Sequence, residues 1–166
     1  LCGGAVFANT AHITVRIGTM GLFEIEVVEG LEDLCLEELE AIAHKAKVVY
    51  QDRGCLGVKA KGRTWQALHQ LKRAIAIYNV ERFEIPRPKA LLGQAHFERL
   101  EAQWDSIRRH YDVPPFATIG LQAAGADSPT MQRILQAMSE AFGLAVDEEA
   151  DLLVRIRKQD ASHYQG

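Results

Sequence analysis

The sequence predicts an α+β protein: a βαββαβ module followed by a second, mixed α/β unit. Three observations carry this. Polar and apolar residues alternate over residues 22–28 and 152–157, the period of half-buried strands. Between them, apolar residues recur at spacings of three and four over residues 31–42 and 131–142, the period of helices with one buried face. Pro86, Arg87, Pro88 and Lys89 interrupt the pattern, and the domain boundary belongs there.

Residues 1–21 are read as a leader. They lack the basic start and long apolar core of a secretory signal. Two readings stay open for them: Met20 as the natural start, or an ordered strand over residues 12–17. In LFEIEVV, residues 22–28, Phe23, Ile25 and Val27 alternate with Glu24 and Glu26. Gly30 turns the chain. Leu31, Leu34, Cys35, Leu39 and Ile42 then follow helical spacing, with Glu32 and Asp33 in the first turn, where the helix dipole favours anions. Residues 47–51 and 55–60 read as strands joined by a hairpin at Asp52, Arg53 and Gly54. Thr64 is suited to cap a helix carrying Trp65, Leu68, Leu71 and Ile75 on one side. Residues 77–85 return to strand, with Tyr78, Val80 and Arg82 on one face. The order βαββαβ is that of a ferredoxin-like module, with helices on one face of an antiparallel sheet.

After the proline break, Phe97, Leu100, Trp104, Ile107 and Tyr111 form the apolar stripe of a long helix. Asp105 and Arg109 make an i,i+4 ion pair on its wet side, and Arg99 and Arg108 face outward with Arg109. Residues 112–115 end the helix at two prolines. In the next strand Ala117, Ile119 and Leu121 alternate with Thr118, Gly120 and Gln122. A small-residue turn leads to Ser128, an N-cap, with Pro129 at the first helical position. Met131, Ile134, Leu135, Met138 and Phe142 form the buried stripe of that helix, and Gly143 ends it. Leu152, Val154 and Ile156 then alternate with Leu153, Arg155 and Arg157 in a last strand. The unit looks cut short after Gly166.

Composition narrows the function. Hydrophobic residues at 48% and charged residues at 25% are ordinary for a soluble globular protein. A net charge of -3 rules out a globally basic chain, so a nucleic-acid surface has to be a local patch. Cys2, Cys35 and Cys55 are odd in number and follow no CxxC spacing. That argues against a disulfide framework or zinc knuckle and for a reducing cytoplasm. No apolar run is long enough to span a membrane.

Several stretches invite chemistry. Ala123, Ala124, Gly125, Ala126, Asp127 and Ser128 partly resemble the Ser-Gly-Gly-x-Asp-Ser pyrophosphate loop of ATP pyrophosphatases. Ala123 and Ala124 stand where that loop has its Ser and first Gly, so ATP chemistry is set aside. What remains is a helix start whose N–H groups can hold an RNA phosphate. Asp112, Val113, Pro114, Pro115 and Phe116 resemble the Asn/Asp-Pro-Pro-Tyr/Phe motif of amino-methyltransferases, but Val113 interrupts it and the position is a linker. His12, His44, His69, His96, His110 and His163 show no metal-ligand spacing. The acidic run Glu29, Glu32, Asp33, Glu37, Glu38 and Glu40 falls mostly on a solvated helix face. Asp147, Glu148, Glu149 and Asp151 read as a solvated turn. The basic candidates are Arg99, Arg108 and Arg109 on one helix, Arg133 one turn after Ser128 and Thr130, and Arg155, Arg157 and Lys158 at the end of the last strand.

A family resemblance gathers these features. FEIEVVEGLEDLCLEEL is similar to the opening strand and "GLE…EEL" helix of an N-terminal ferredoxin-like domain. FATIGLQAAGADSPTMQRI and GLAVDEEADLLVRIR resemble the strand, Ser-started helix and strands of a THUMP domain. Over residues 22–157 the chain resembles these two domains of RNA guanine-N2 methyltransferases. The resemblance implies a ferredoxin-like domain over residues 22–86 and a partial THUMP domain over 87–166. It implies RNA as the partner, the tRNA acceptor end or rRNA, bound by Ser128, Thr130, Arg133, Arg155, Arg157 and Lys158, with Arg99, Arg108 and Arg109. It also implies a monomer with no membrane contact, no catalytic residue and no metal. S-adenosylmethionine would serve a separate Rossmann-like catalytic domain that this sequence does not contain. Two alternatives stay open: the RNA-binding portion of a tRNA 4-thiouridine synthase, and a non-enzymatic interaction module.

Overall fold

The computed structural model describes residues 2–9, 20–61, 64–68, 70–108 and 116–159. The chain is α+β and divides into two compact units, Ala8–Val80 and Glu81–Gln165, the second joined by Leu1–Phe7. The division falls inside a strand, whereas the sequence pattern sets the boundary at Pro86. Outside the described residues lie the possible strand over 12–17, Arg109, Tyr111, the motif over 112–115, and His12, His69, His110 and His163. The side chains of Trp65 and Lys158 lie outside them too.

In the first unit the elements are β2 (Met20–Val27), α1 (Glu32–Ile42), β3 (Lys47–Asp52), β4 (Cys55–Lys61), α2 (Thr64–Leu68) and β5 (Ala74–Glu84), which runs on into the second unit. The strand order is β3-β4-β2-β5, and every neighbouring pair is antiparallel. Phe23, Ile25 and Val27 point to one face of β2, where Leu56, Val58 and Ile77 join them and Cys35 and Leu39 of α1 pack on top. Burying each such aliphatic or aromatic side chain contributes about 1.5–3 kcal/mol.

Two carboxylates anchor α1, although the sequence pattern assigns most of that acidic run to solvent. Glu32 accepts the Gly30 N–H at 2.8 Å and the Gly54 N–H at 2.6 Å, tying the helix start to the β3–β4 hairpin. Gly54 has a φ of +69°, the left-handed conformation the turn demands. Glu38 accepts the Lys72 N–H at 2.6 Å and pairs with Arg73 at 3.2 Å, which fixes the turn before β5.

The helical stripe read through Ile75 does not persist. α2 starts at Thr64 and stops at Leu68, Leu71 is buried in the following turn, and Ile75 lies on β5 with 55% exposure. Val27 faces Ala74 and Glu26 faces Ala76, so Ile75 is the extra residue of a β-bulge and is turned out of the core. Leu34, assigned to the buried stripe of α1, is also exposed.

The polar face of this sheet has its own order. Glu24 is buried at 3% exposure and accepts the Tyr50 hydroxyl at 2.6 Å; Tyr78 donates to Glu26 at 2.8 Å. Gly57 lies between Tyr50 and Glu24 in the register, and a Cβ there would sit 2.1 Å from the Tyr50 ring. Only glycine lets the ring lie across β4 to reach the carboxylate.

The second unit holds most of β1 (Cys2–Asn9), a 3-10 turn over Pro88–Leu92, α3 (Gln94–Arg108), β6 (Thr118–Ala123), α4 (Pro129–Phe142), β7 (Ala145–Val146) and β8 (Leu152–Gln159). Its strand order is β1-β8-β6-β7, so part of the predicted leader is a strand beside β8. β6 runs parallel to both β7 and β8. Parallel neighbours need a crossover, and α4 supplies it. As its sequence predicts, α4 starts at Ser128, whose Oγ accepts the Met131 N–H at 3.3 Å. Pro129 stands at its first turn, and it ends at Gly143 with a φ of +69°. Its buried stripe packs with Ile119, Leu152, Val154 and Ile156 and with Leu100, Trp104 and Ile107 of α3. Trp104 stacks on Phe142 at 5.3 Å and meets Phe116 edge-on at 5.5 Å, so both helices share one aromatic cluster. Among the described residues no helix is long and apolar enough to cross a membrane.

Candidate nucleic-acid interface

β6 and β8 point the same way, and the register sets the last residue of β6, Ala123, opposite Ile156, so β8 runs on past the end of β6. The turn after Ala123 opens at that edge of the sheet. Ala126 N–H donates to Ala123 O at 3.2 Å and Ser128 N–H to Gly125 O at 2.9 Å, while the Gln132 amide donates to Ala126 O at 2.8 Å. These bonds make a compact start for α4, with Ser128 and Thr130 half-buried and Arg133 exposed on the solvent side. Arg133 makes no hydrogen bond or ion pair among the described residues.

Alternation along β8 decides where its arginines point. Leu152, Val154 and Ile156 are in the core beneath α4, so Leu153, Arg155 and Arg157 project from the opposite face. Arg155 is half-buried and Arg157 exposed. Arg155 Nε donates to Oε1 of Gln122, its cross-strand partner on β6, at 3.0 Å. Lys158 follows on the strand. The sequence pattern groups Arg133 with Arg155 and Arg157. In the structure they lie on opposite sides of the sheet.

The helix arginines are engaged locally. Arg99 pairs with Glu81, donates to the Arg82 carbonyl at 2.7 Å and lies over the Phe83 ring at 4.4 Å. That cation–π contact with a buried ring makes Arg99 part of the packing of α3 against β5. Arg108 pairs with Asp105 at 2.7 Å, three residues back. The pair predicted from the sequence was Asp105 with Arg109, which lies outside the described residues.

Charge is sorted along β8. Asp147, Glu148, Glu149 and Asp151 lie at its amino end and are exposed; the basic residues lie at its carboxyl end. Asp151 accepts the Ala117 N–H at 2.8 Å and the Thr118 N–H at 3.3 Å. Those backbone donors, with the Thr118 hydroxyl, hold its carboxyl below the usual range. Asp147 accepts the Glu149 N–H at 3.0 Å. An open groove of about 480 Å³ lies elsewhere, between the start of α1 and the β3–β4 hairpin, lined by Glu29, Gly30, Glu32, Gln51, Asp52 and Arg53. Its charges are used internally: Glu32 by two backbone donors, Arg53 by Glu29 at 3.5 Å. Among the described residues no group of three or more His, Cys, Asp or Glu side chains could hold a metal.

Gln122 is the residue that sequence reading passed over. It was legible as a member of the polar face of β6, but its partner depends on the register of β6 with β8. No family model matches the chain, and no curated protein matches it either.

Proposed function

We propose that this chain is the RNA-binding portion of an RNA-modifying enzyme, a ferredoxin-like unit followed by a THUMP unit of an S-adenosylmethionine-dependent guanine-N2 methyltransferase. One observation carries the RNA part: Arg155 and Arg157 project from one sheet face toward the carboxyl edge of β6 and β8, with the acidic cluster at the opposite end of β8. A polyanion is drawn to one end of that strand and repelled from the other. The start of α4, with Arg133, lies on the other side of the sheet and is a separate place where a cation and a helix start favour phosphate. The order βαββαβ with strands β3-β4-β2-β5 supports the ferredoxin-like part. The methyl donor and the target guanosine belong to the catalytic part of such an enzyme. The role of this chain is to hold the RNA.

Binding of tRNA, measured by fluorescence anisotropy at a series of salt concentrations, tests the proposal. Each neutralised phosphate gives a slope of about -0.7 to -0.9 in log K against log salt. The double variant Arg155→Ala/Arg157→Ala is expected to weaken binding and flatten the slope by about 1.5. Unchanged affinity and slope in that variant would overturn this choice of surface. tRNA trimmed of its acceptor end is expected to bind less well than the intact molecule, and a ribosomal RNA fragment that competes fully would shift the partner to rRNA.

A further inference from the structure

We infer that RNA backbone is held on the sheet face turned away from α4, and that Gln122 is the positioning residue for Arg155 there. This rests on the RNA-binding proposal above and names the surface and the geometry it uses. Arg155 and Arg157 are two residues apart on β8, on the same face and about 6.6 Å apart along the strand. Neighbouring phosphodiesters on one nucleic-acid strand can match that spacing. Arginine carries a fixed positive charge in a planar fork, so the orientation of the plane decides how it meets a phosphate. Gln122 accepts from Nε of Arg155 at 3.0 Å, directly across the parallel pair, and so sets that plane. The same face of β6 offers no bulk at Gly120, where a Cβ would sit 2.9 Å from the Asp147 carbonyl. The loop after β7 covers that end of the face, so the approach is through Gln122, Arg155 and Arg157. Arg133 lies on the far side, on the exposed surface of α4.

Charge and orientation have different signatures, and the experiment separates them. tRNA binding is measured across salt for the whole chain and for single variants, with circular dichroism to verify folding. Arg155→Ala is expected to lower affinity roughly fivefold and to reduce the salt slope by about 1. Gln122→Ala keeps the charge but removes the Nε bond that orients the plane: affinity falls by roughly threefold with the slope intact. Arg155→Lys behaves like Gln122→Ala, because the charge stays and the Nε bond is lost. Gln122→Glu tests the face itself. A carboxylate there neutralises Arg155 in place, so affinity and slope fall as in Arg155→Ala, although the local bond is strengthened. If Gln122 had no positioning role, Gln122→Ala would bind as the wild type does, and that result overturns the positioning inference; wild-type binding by Gln122→Glu overturns the choice of face. If Arg133→Ala alone flattens the slope while Arg155→Ala and Gln122→Glu do not, the RNA lies on the α4 side; the sheet-face inference fails and the RNA-binding proposal stands. If the wild type binds tRNA without salt dependence, or not at all, the RNA-binding proposal itself fails.

Discussion

On the antiparallel sheet of the first unit, the polar face carries Glu24 and Glu26, and each carboxylate accepts a tyrosine hydroxyl, from Tyr50 at 2.6 Å and Tyr78 at 2.8 Å. On the parallel strands β6 and β8 of the second unit, the face turned away from α4 carries Arg155 and Arg157, with Gln122 bonded to the first. Both faces follow from the same period of two. In the first, the polar groups are consumed by one another across strands, and Glu24 is almost fully buried. Lys47 and Lys59 do stand opposite each other on that sheet, beside the carboxylate row. In the second, like charges share a face and the carboxylates are gathered at the other end of β8. A face whose polar groups satisfy each other stabilises a fold. On the RNA-binding proposal, a face that gathers charges of one sign draws a polyanion.

The contrast can be broken most sharply at Gly57. Gly57→Ala pushes a Cβ into the Tyr50 ring and is expected to destabilise the protein by about 1–3 kcal/mol, read from urea denaturation. In a Tyr50→Ala background most of that cost disappears, because the ring it meets is gone; a double-mutant cycle measures the coupling. Next in size, Tyr50→Phe removes the hydroxyl from a buried carboxylate and is expected to cost about 1.5–2 kcal/mol. Its counterpart in the second unit, Ser128→Ala, removes one cap bond and costs about 1 kcal/mol. A Tyr50→Phe effect no larger than that of Ser128→Ala would remove the distinction between the locked face and the rest.

Acid reveals a smaller difference between the units. Glu32 is held below the ordinary carboxylate range first by the Gly54 N–H, Glu38 by the Lys72 N–H, and Asp151 by the Ala117 N–H. A carboxylate whose folded pKa is depressed contributes stability above its unfolded value, about 4 for these groups. That contribution is lost as the pH falls through the folded value. The urea midpoint is therefore expected to drop below about pH 4. The double variant Glu32→Gln/Glu38→Gln should flatten the drop more than Asp151→Asn, since it removes two such groups against one. An equal flattening by Asp151→Asn would show that the ties of α1 are not the more acid-sensitive set.

Local patterns were legible in the sequence, and cross-strand ones were not. Ser128, Pro129 and Gly143 mark α4 within a few residues of chain, and the structure uses all three. Alternation over residues 152–157 already separates Arg155 and Arg157 from the buried Leu152, Val154 and Ile156. The helix through Ile75 failed because Leu68, Leu71 and Ile75 have helical spacing by accident. A bulge set by the register of β5 against β2 decides where Ile75 goes. Arg99 looked like a free surface cation because its partners, Glu81 and Phe83, lie on a different element. The Glu24–Tyr50 bond spans 26 residues and needs a glycine on a third strand, which no local pattern encodes.

The measurement that bears most directly on the contrast removes two cations from the strands of each unit and compares the salt dependence of tRNA binding. Arg155→Ala/Arg157→Ala and Lys47→Ala/Lys59→Ala change the net charge equally. The RNA-binding proposal predicts that the arginine pair lowers affinity and flattens the slope by about 1.5–2, while the lysine pair leaves the slope as it is. Equal flattening by both pairs would contradict it, since the attraction would then follow net charge and not the face of β8.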